Sequence, residues 1–61
     1  MTKTYIAFYD DGHDFGEFEF ESNHRAKSAA NLADAEEKAK KKYGYKRARA
    51  IRILQTQLAE F

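Results

Sequence analysis

Sixty-one residues with no cysteine and no proline make one small domain, 1–61, which no disulfide or thiolate–metal framework can staple. A chain of this length buries only about 60% of the surface its unfolded form exposes, yet nine aromatic residues supply enough apolar surface to argue against disorder. The net charge is only +1, there is no apolar run of the roughly 18 residues needed to span a membrane, and Met1-Thr2-Lys3-Thr4 does not lead into a signal-peptide core. A cytoplasmic protein without a membrane partner is therefore expected.

The first predicted element is a strand over 3–9. Its alternation is loose: Thr4, Ile6 and Phe8 share one face, and Lys3, Tyr5, Ala7 and Tyr9 the other. The second, over 15–21, reads "FGEFEFE" and alternates sharply. Phe18 and Phe20 point one way, and Glu17, Glu19 and Glu21 the other. That pattern suits an antiparallel strand with one wet face. Between the strands lies "DDGHD". Pairing Asp10 with Asp14 sets Ile6 opposite Phe18 and Thr4 opposite Phe20, so the predicted core face of the first strand is Thr4, Ile6 and Phe8. A tight Asp-Gly turn would set Ile6 against Glu17, so a loop of about three to five residues is expected, with Gly12 at positive φ.

Asn31 is the predicted N-cap of a helix over 31–43, with Asp34 in a variant of the capping box. Leu32, Ala35, Ala39 and Tyr43 recur at helical spacing, and Gly44 is the stop. Asp34–Lys38, Glu36–Lys40 and Glu37–Lys41 are acid-before-base pairs at i,i+4. A last strand is predicted over 47–55, with Ile51 and Ile53 toward the helix and Arg52 and Leu54 on the wet face. A tail, 56–61, carries Leu58 and Phe61. The expected fold is α+β, a ββαβ unit. One helix covers one face of a three-stranded antiparallel sheet of order 2-1-3.

The modest net charge hides a segregation. Residues 1–21 carry Lys3 against six carboxylates, a balance of −5. Residues 38–61 carry eight lysines and arginines against Glu60 alone, a balance of +7. Such halves attract each other in the fold or present opposite signs to partners.

Four constellations hold chemistry-bearing side chains. In "DDGHD", Asp and His are metal-ligand types, but the spacing lacks the closing glutamate of a Ca²⁺ loop. Turn geometry explains Asp and Gly there, and no metal is expected. His24, Arg25, Lys27 and Ser28 precede the helix and form a candidate anion site, although such residues more often cap their own backbone. The block "KAKKKYGYKRARAIR" interleaves cations with Tyr43 and Tyr45. Lys41, Lys42, Lys46, Arg47 and Arg49 are candidates for tracking a nucleic-acid backbone, provided the acidic strand faces away. On the uncovered sheet face Tyr5, Tyr9, Glu17, Glu19 and Arg52 are candidates for contact with a protein, because Tyr and Arg are enriched in interfaces. No catalytic set appears. His13 and His24 are the side chains that ordinarily titrate near neutrality, and a strand separates them.

The stretch "YDDGHDFGEFEFESNHRA", with the helix ending "KKKYG", resembles small uncharacterised proteins of phages and prophages in Gram-positive bacteria. The resemblance implies an accessory protein of a mobile element and brings no catalytic or binding residue with it. The reading from sequence is a non-catalytic binding module without a cofactor. It engages a protein partner, or a second copy of itself, through the open sheet face. Nucleic-acid binding by the 38–52 segment is the alternative.

Overall fold

In a computed structural model that describes residues 1 to 59, the chain runs β1 (Lys3–Asp10), β2 (Phe15–Ser22), α1 (Ala29–Tyr43), α2 (Tyr45–Ala48) and β3 (Arg52–Leu58). The three strands form one sheet of order β2-β1-β3, and β1 is antiparallel to both neighbours. Helix α1 packs on one face of the sheet, as expected for this α+β class.

The hairpin register differs by one residue from the expected one. Asp10 pairs with Phe15, not Asp14, so Tyr5 lies opposite Phe20 and Ala7 opposite Phe18. The core face of β1 is therefore Tyr5, Ala7 and Tyr9, while Thr4, Ile6 and Phe8 turn to the open face. The core explains the choice. Tyr5 stacks on Phe20 with ring centroids 5.7 Å apart, and Tyr9 sits 5.9 Å from both Phe18 and Tyr43. Helix α1 answers these rings with Ala35 and Ala39, both fully buried or nearly so. Small helix residues let the helix approach, and the sheet's aromatics fill the space, which is how close packing is reached with so few residues. Gly16 belongs to the same arrangement. It pairs with Tyr9, and a Cβ there would lie only 2.5 Å from the Tyr9 ring. The tyrosine ring covers the glycine, so any side chain at 16 would expel it.

The loop itself follows expectation. Gly12 has φ 91°. Its N–H donates to Asp10 Oδ1 at 2.8 Å, and Asp11 Oδ1 accepts from the N–H groups of His13 and Asp14 at 2.9 and 2.8 Å. These are turns built by aspartate side chains on their own backbone.

Helix α1 starts two residues before the expected point. Ser28 is the N-cap, its Oγ accepting from the Asn31 N–H at 3.1 Å. Asn31 is instead fully buried, and its Nδ2 donates to the His24 carbonyl at 3.1 Å. Asp34 does not close a capping box; its Oδ2 accepts from Ser22 Oγ at 2.6 Å, tying α1 to the end of β2. Gly44, at φ 86°, ends the helix, its N–H donating to the Lys40 carbonyl. Beyond it the chain makes the short helix α2, so residues 47 and 48 are helical rather than the start of a strand.

Strand β3 is accordingly displaced toward the C-terminus. Ile51 and Ile53 pack on the core as expected, and part of the predicted tail is strand, with Thr56 opposite Ala7 and Leu58 opposite Tyr5. A bulge opposite Phe8 and Tyr9 lets both Ile53 and Thr56 face the helix despite their odd spacing. Thr56 is fully buried, and its Oγ1 accepts from the Lys27 N–H at 2.9 Å. That bond holds Lys27 at φ 68°, a left-handed conformation for a non-glycine residue. Phe61 lies outside the described residues.

Candidate nucleic-acid interface

The basic block gathers at one end of the molecule, formed by the last turns of α1, the Gly44 corner and α2. Lys38, Lys40, Lys41, Lys42, Lys46, Arg47 and Arg49 are all exposed. Three of them occupy the last turn of α1, where the unpaired carbonyls of the helix end favour cations. The i,i+4 partners expected for Lys38, Lys40 and Lys41 are not engaged. Among the described residues the one ion pair within 4.0 Å joins Arg47 to Asp11. Between Lys38 and Ala59 the chain has no Asp or Glu at all.

The two tyrosines of the block have different roles. Tyr43 is half-buried against Tyr9 and Phe18, and carries the Arg47 guanidinium 5.6 Å and the Lys42 ammonium 5.7 Å from its ring centre. Tyr45 follows the Gly44 corner and is 74% exposed. It is the ring of this block free to meet a base. Arg47 does two things at once: it covers Tyr43 and approaches Asp11, so it fastens α2 to the hairpin loop.

Asp11 is held ionised by its surroundings. The backbone N–H bonds from Asp14 and His13 lower its pKa below the ordinary 3.8, and the nearby His13 and Arg47 charges act in the same direction. A carboxyl whose folded pKa lies below its unfolded one stabilises the fold above the unfolded pKa. That contribution is lost as the pH falls through the folded value. The Asp11 carboxyl carbon is expected to titrate in NMR with a midpoint under 3.8; a midpoint at or above that value would mean the two N–H bonds are not made.

The acidic row faces the other way. Glu17, Glu19 and Glu21 lie exposed on the sheet face opposite to α1, beside Thr4, Ile6 and Phe8 of β1. Of the residues expected to make a protein contact there, Glu17, Glu19 and Arg52 are on this face. Tyr5 and Tyr9 are not. Tyr5 is 5% exposed and Tyr9 packs against the core, both consequences of the shifted register. Ile6 and Phe8, half-buried on the central strand, take their place, with Phe15 and Leu54 exposed nearby. The pattern already placed Phe15 and Leu54 on that side. The signal for Ile6 and Phe8 is Gly16, whose missing side chain leaves room for an aromatic ring across the hairpin.

The anion candidates before α1 are occupied by their own loop. Ser28 Oγ donates to the Arg25 carbonyl at 2.7 Å while capping the helix. The His24 N–H donates to Ser22 Oγ, and the Lys27 N–H to Thr56. The side chains of His24, Arg25 and Lys27 are exposed, but the groups that would cradle an anion are committed. At the hairpin tip the aspartate Oδ1 atoms are likewise bound to backbone. Among the described residues no three His, Asp or Glu side chains converge as a metal-ligand set. His13 and His24 lie beyond opposite ends of β2. No helix among the described residues is long and apolar enough to cross a membrane. No protein-family model, no curated protein and no solved structure matches the chain.

Proposed function

We propose that this chain is a non-catalytic binding module whose basic end holds a single-stranded nucleic acid. Lys41, Lys42, Lys46 and Arg49 contact phosphates, and Tyr45 stacks on a base. The observation that carries the reading is the direction of the charges. Lys41, Lys42, Lys46 and Arg49 project from the α1–α2 end and make no ion pair within 4.0 Å among the described residues, while the glutamates project from the opposite face of the sheet. A phosphate backbone at the basic end meets attraction from several residues. An exposed ring beside such a basic cluster adds sequence-tolerant stacking. Arg47 serves the fold first, because it is already engaged by Asp11 and Tyr43.

The test is fluorescence anisotropy with a labelled single-stranded oligonucleotide over a salt series. Affinity is expected to fall as salt rises, with a log–log slope of about −0.7 per phosphate contact. Tyr45→Ala is expected to cost about 1–3 kcal/mol with the single strand and little with a duplex of the same charge density. Binding that is absent at low salt, or indifferent to salt, would refute the reading.

A further inference from the structure

We infer that the open sheet face docks an amphipathic helix of a partner protein, one with an apolar stripe and a row of lysines or arginines along one flank of it. Ile6 and Phe8 lie half-buried on the central strand of this face, and Phe15 and Leu54 near them are 80% and 49% exposed. A sheet covered on one side only leaves such a stripe in water unless something packs on it.

The registers place the charges. Across the face, Glu19, Ile6 and Gln57 stand at one level, and Glu17, Phe8 and Gln55 at the next. Glu21 and Thr4 continue the pattern at one end. At the other end Phe15, Asp10 and Arg52 stand side by side, so the guanidinium neighbours the aspartate of the face. Glu17, Glu19 and Glu21 remain as an acidic row along the β2 edge, and none of them joins an ion pair of 4.0 Å or less among the described residues. Beside Ile6 and Phe8 the β3 edge is amide. The surface is thus apolar along its middle, anionic along one side and neutral along the other. A second copy would bring another carboxylate row to it, and like charges brought together are destabilising. A phosphate backbone is repelled for the same reason. A cationic flank is attracted.

Spacing and width suit a helix. Alternate residues of a strand stand about 6.8 Å apart, which separates Ile6 from Phe8 and each glutamate of the row from the next. Residues four apart on a helix rise about 6 Å. Apolar residues at i and i+4 therefore reach Ile6 and Phe8 together, while cations at the same spacing reach neighbouring glutamates. Three strands at intervals of about 4.8 Å make a face one helix wide, since a helix with its side chains measures about 10–12 Å. The other face already holds one helix, α1, in this way. One helix on three short strands covers less than the roughly 800 Å² per partner of a standard interface, so the affinity is micromolar.

The test uses the full chain and a synthetic helical peptide of alanine, leucine and lysine, with the leucines in one stripe and the lysines along one flank of it. A control peptide carries glutamate in place of every lysine. Titration followed by amide shifts is expected to saturate at micromolar peptide, with the shifts concentrated at Ile6, Phe8, Leu54, Glu17 and Glu19. The control is expected to bind at least about tenfold more weakly. Phe8→Lys, which sets a cation in the apolar stripe, is expected to abolish binding with an unchanged circular dichroism spectrum. Glu17→Gln, Glu19→Gln and Glu21→Gln made together leave the stripe intact and are expected to weaken binding about tenfold. Equal binding of the two peptides, shifts confined to the α1 side, or no saturation at millimolar peptide would overturn the inference. So would self-association of the protein alone with shifts at Ile6 and Phe8, because a second copy would then hold the face.

Discussion

Tyr5→Ala is expected to leave a large share of the molecules unfolded at room temperature, whereas Phe8→Ala leaves a folded protein. The two residues are three apart on the same strand, and both are aromatic. Tyr5 is 5% exposed, paired with Phe20 and stacked on it. Truncating a buried aromatic to alanine costs about 3–5 kcal/mol, because the lost transfer energy is joined by a cavity. Folding stabilities run at about 0.05–0.15 kcal/mol per residue, so a chain of 61 residues has little in reserve. Phe8 is half-buried on the open face and makes no part of the core cluster. Its truncation exposes no cavity and is expected to cost about 1–2 kcal/mol. Urea midpoints at low protein concentration give both numbers. The two costs interchange if the hairpin pairs one residue out of step, with Ile6 and Phe8 inward, so the pair of variants measures the register directly.

That register is also where the sequence is least legible. The second strand declares its faces, because every apolar residue after Gly16 alternates with a glutamate. The first strand does not, since both of its faces carry large rings and β-branched or aliphatic side chains. Pairing Asp10 with Asp14 across the loop puts Ile6 and Phe8 on the core side. What reverses the choice is volume. A helix that presents Ala35 and Ala39 leaves room for tyrosines, and a glycine at 16 leaves room for the ring of Tyr9. Both facts are in the sequence, but they act only when two elements are packed together. The same holds for Asn31, whose residue type suits a cap, yet Ser28 caps and Asn31 is buried to hold the His24 carbonyl. The start of β3 lies later than the pattern predicts, for a local reason. "KRAR" favours a helical turn after Gly44, and the bulge then hides the alternation of the strand that follows. The strand order, the Gly12 loop and the Gly44 stop were readable because each rests on short-range chemistry or on chain connectivity.

Replacing Lys41, Lys42, Lys46 and Arg49 together by glutamine is expected to abolish measurable single-strand binding at physiological salt. At low salt the replacement should flatten the log–log salt slope by about 3, since each phosphate contact on a single strand contributes about 0.7. All four side chains are exposed and take no part in an ion pair of 4.0 Å or less among the described residues, so the fold is expected to survive. The decisive comparison is with Glu17→Gln, Glu19→Gln and Glu21→Gln made together on the opposite face. That variant raises the net charge by three, yet its altered positions stand on the sheet face opposite to α1. If binding follows net charge, it tightens strongly. If binding is local to the α1–α2 end, salt screening of exposed charges on the other face leaves its affinity within a few-fold of the parent. A protein of net charge +1 holds a polyanion only by keeping its two signs apart in space. The two variants separate that arrangement from a general attraction between a weakly basic protein and phosphate.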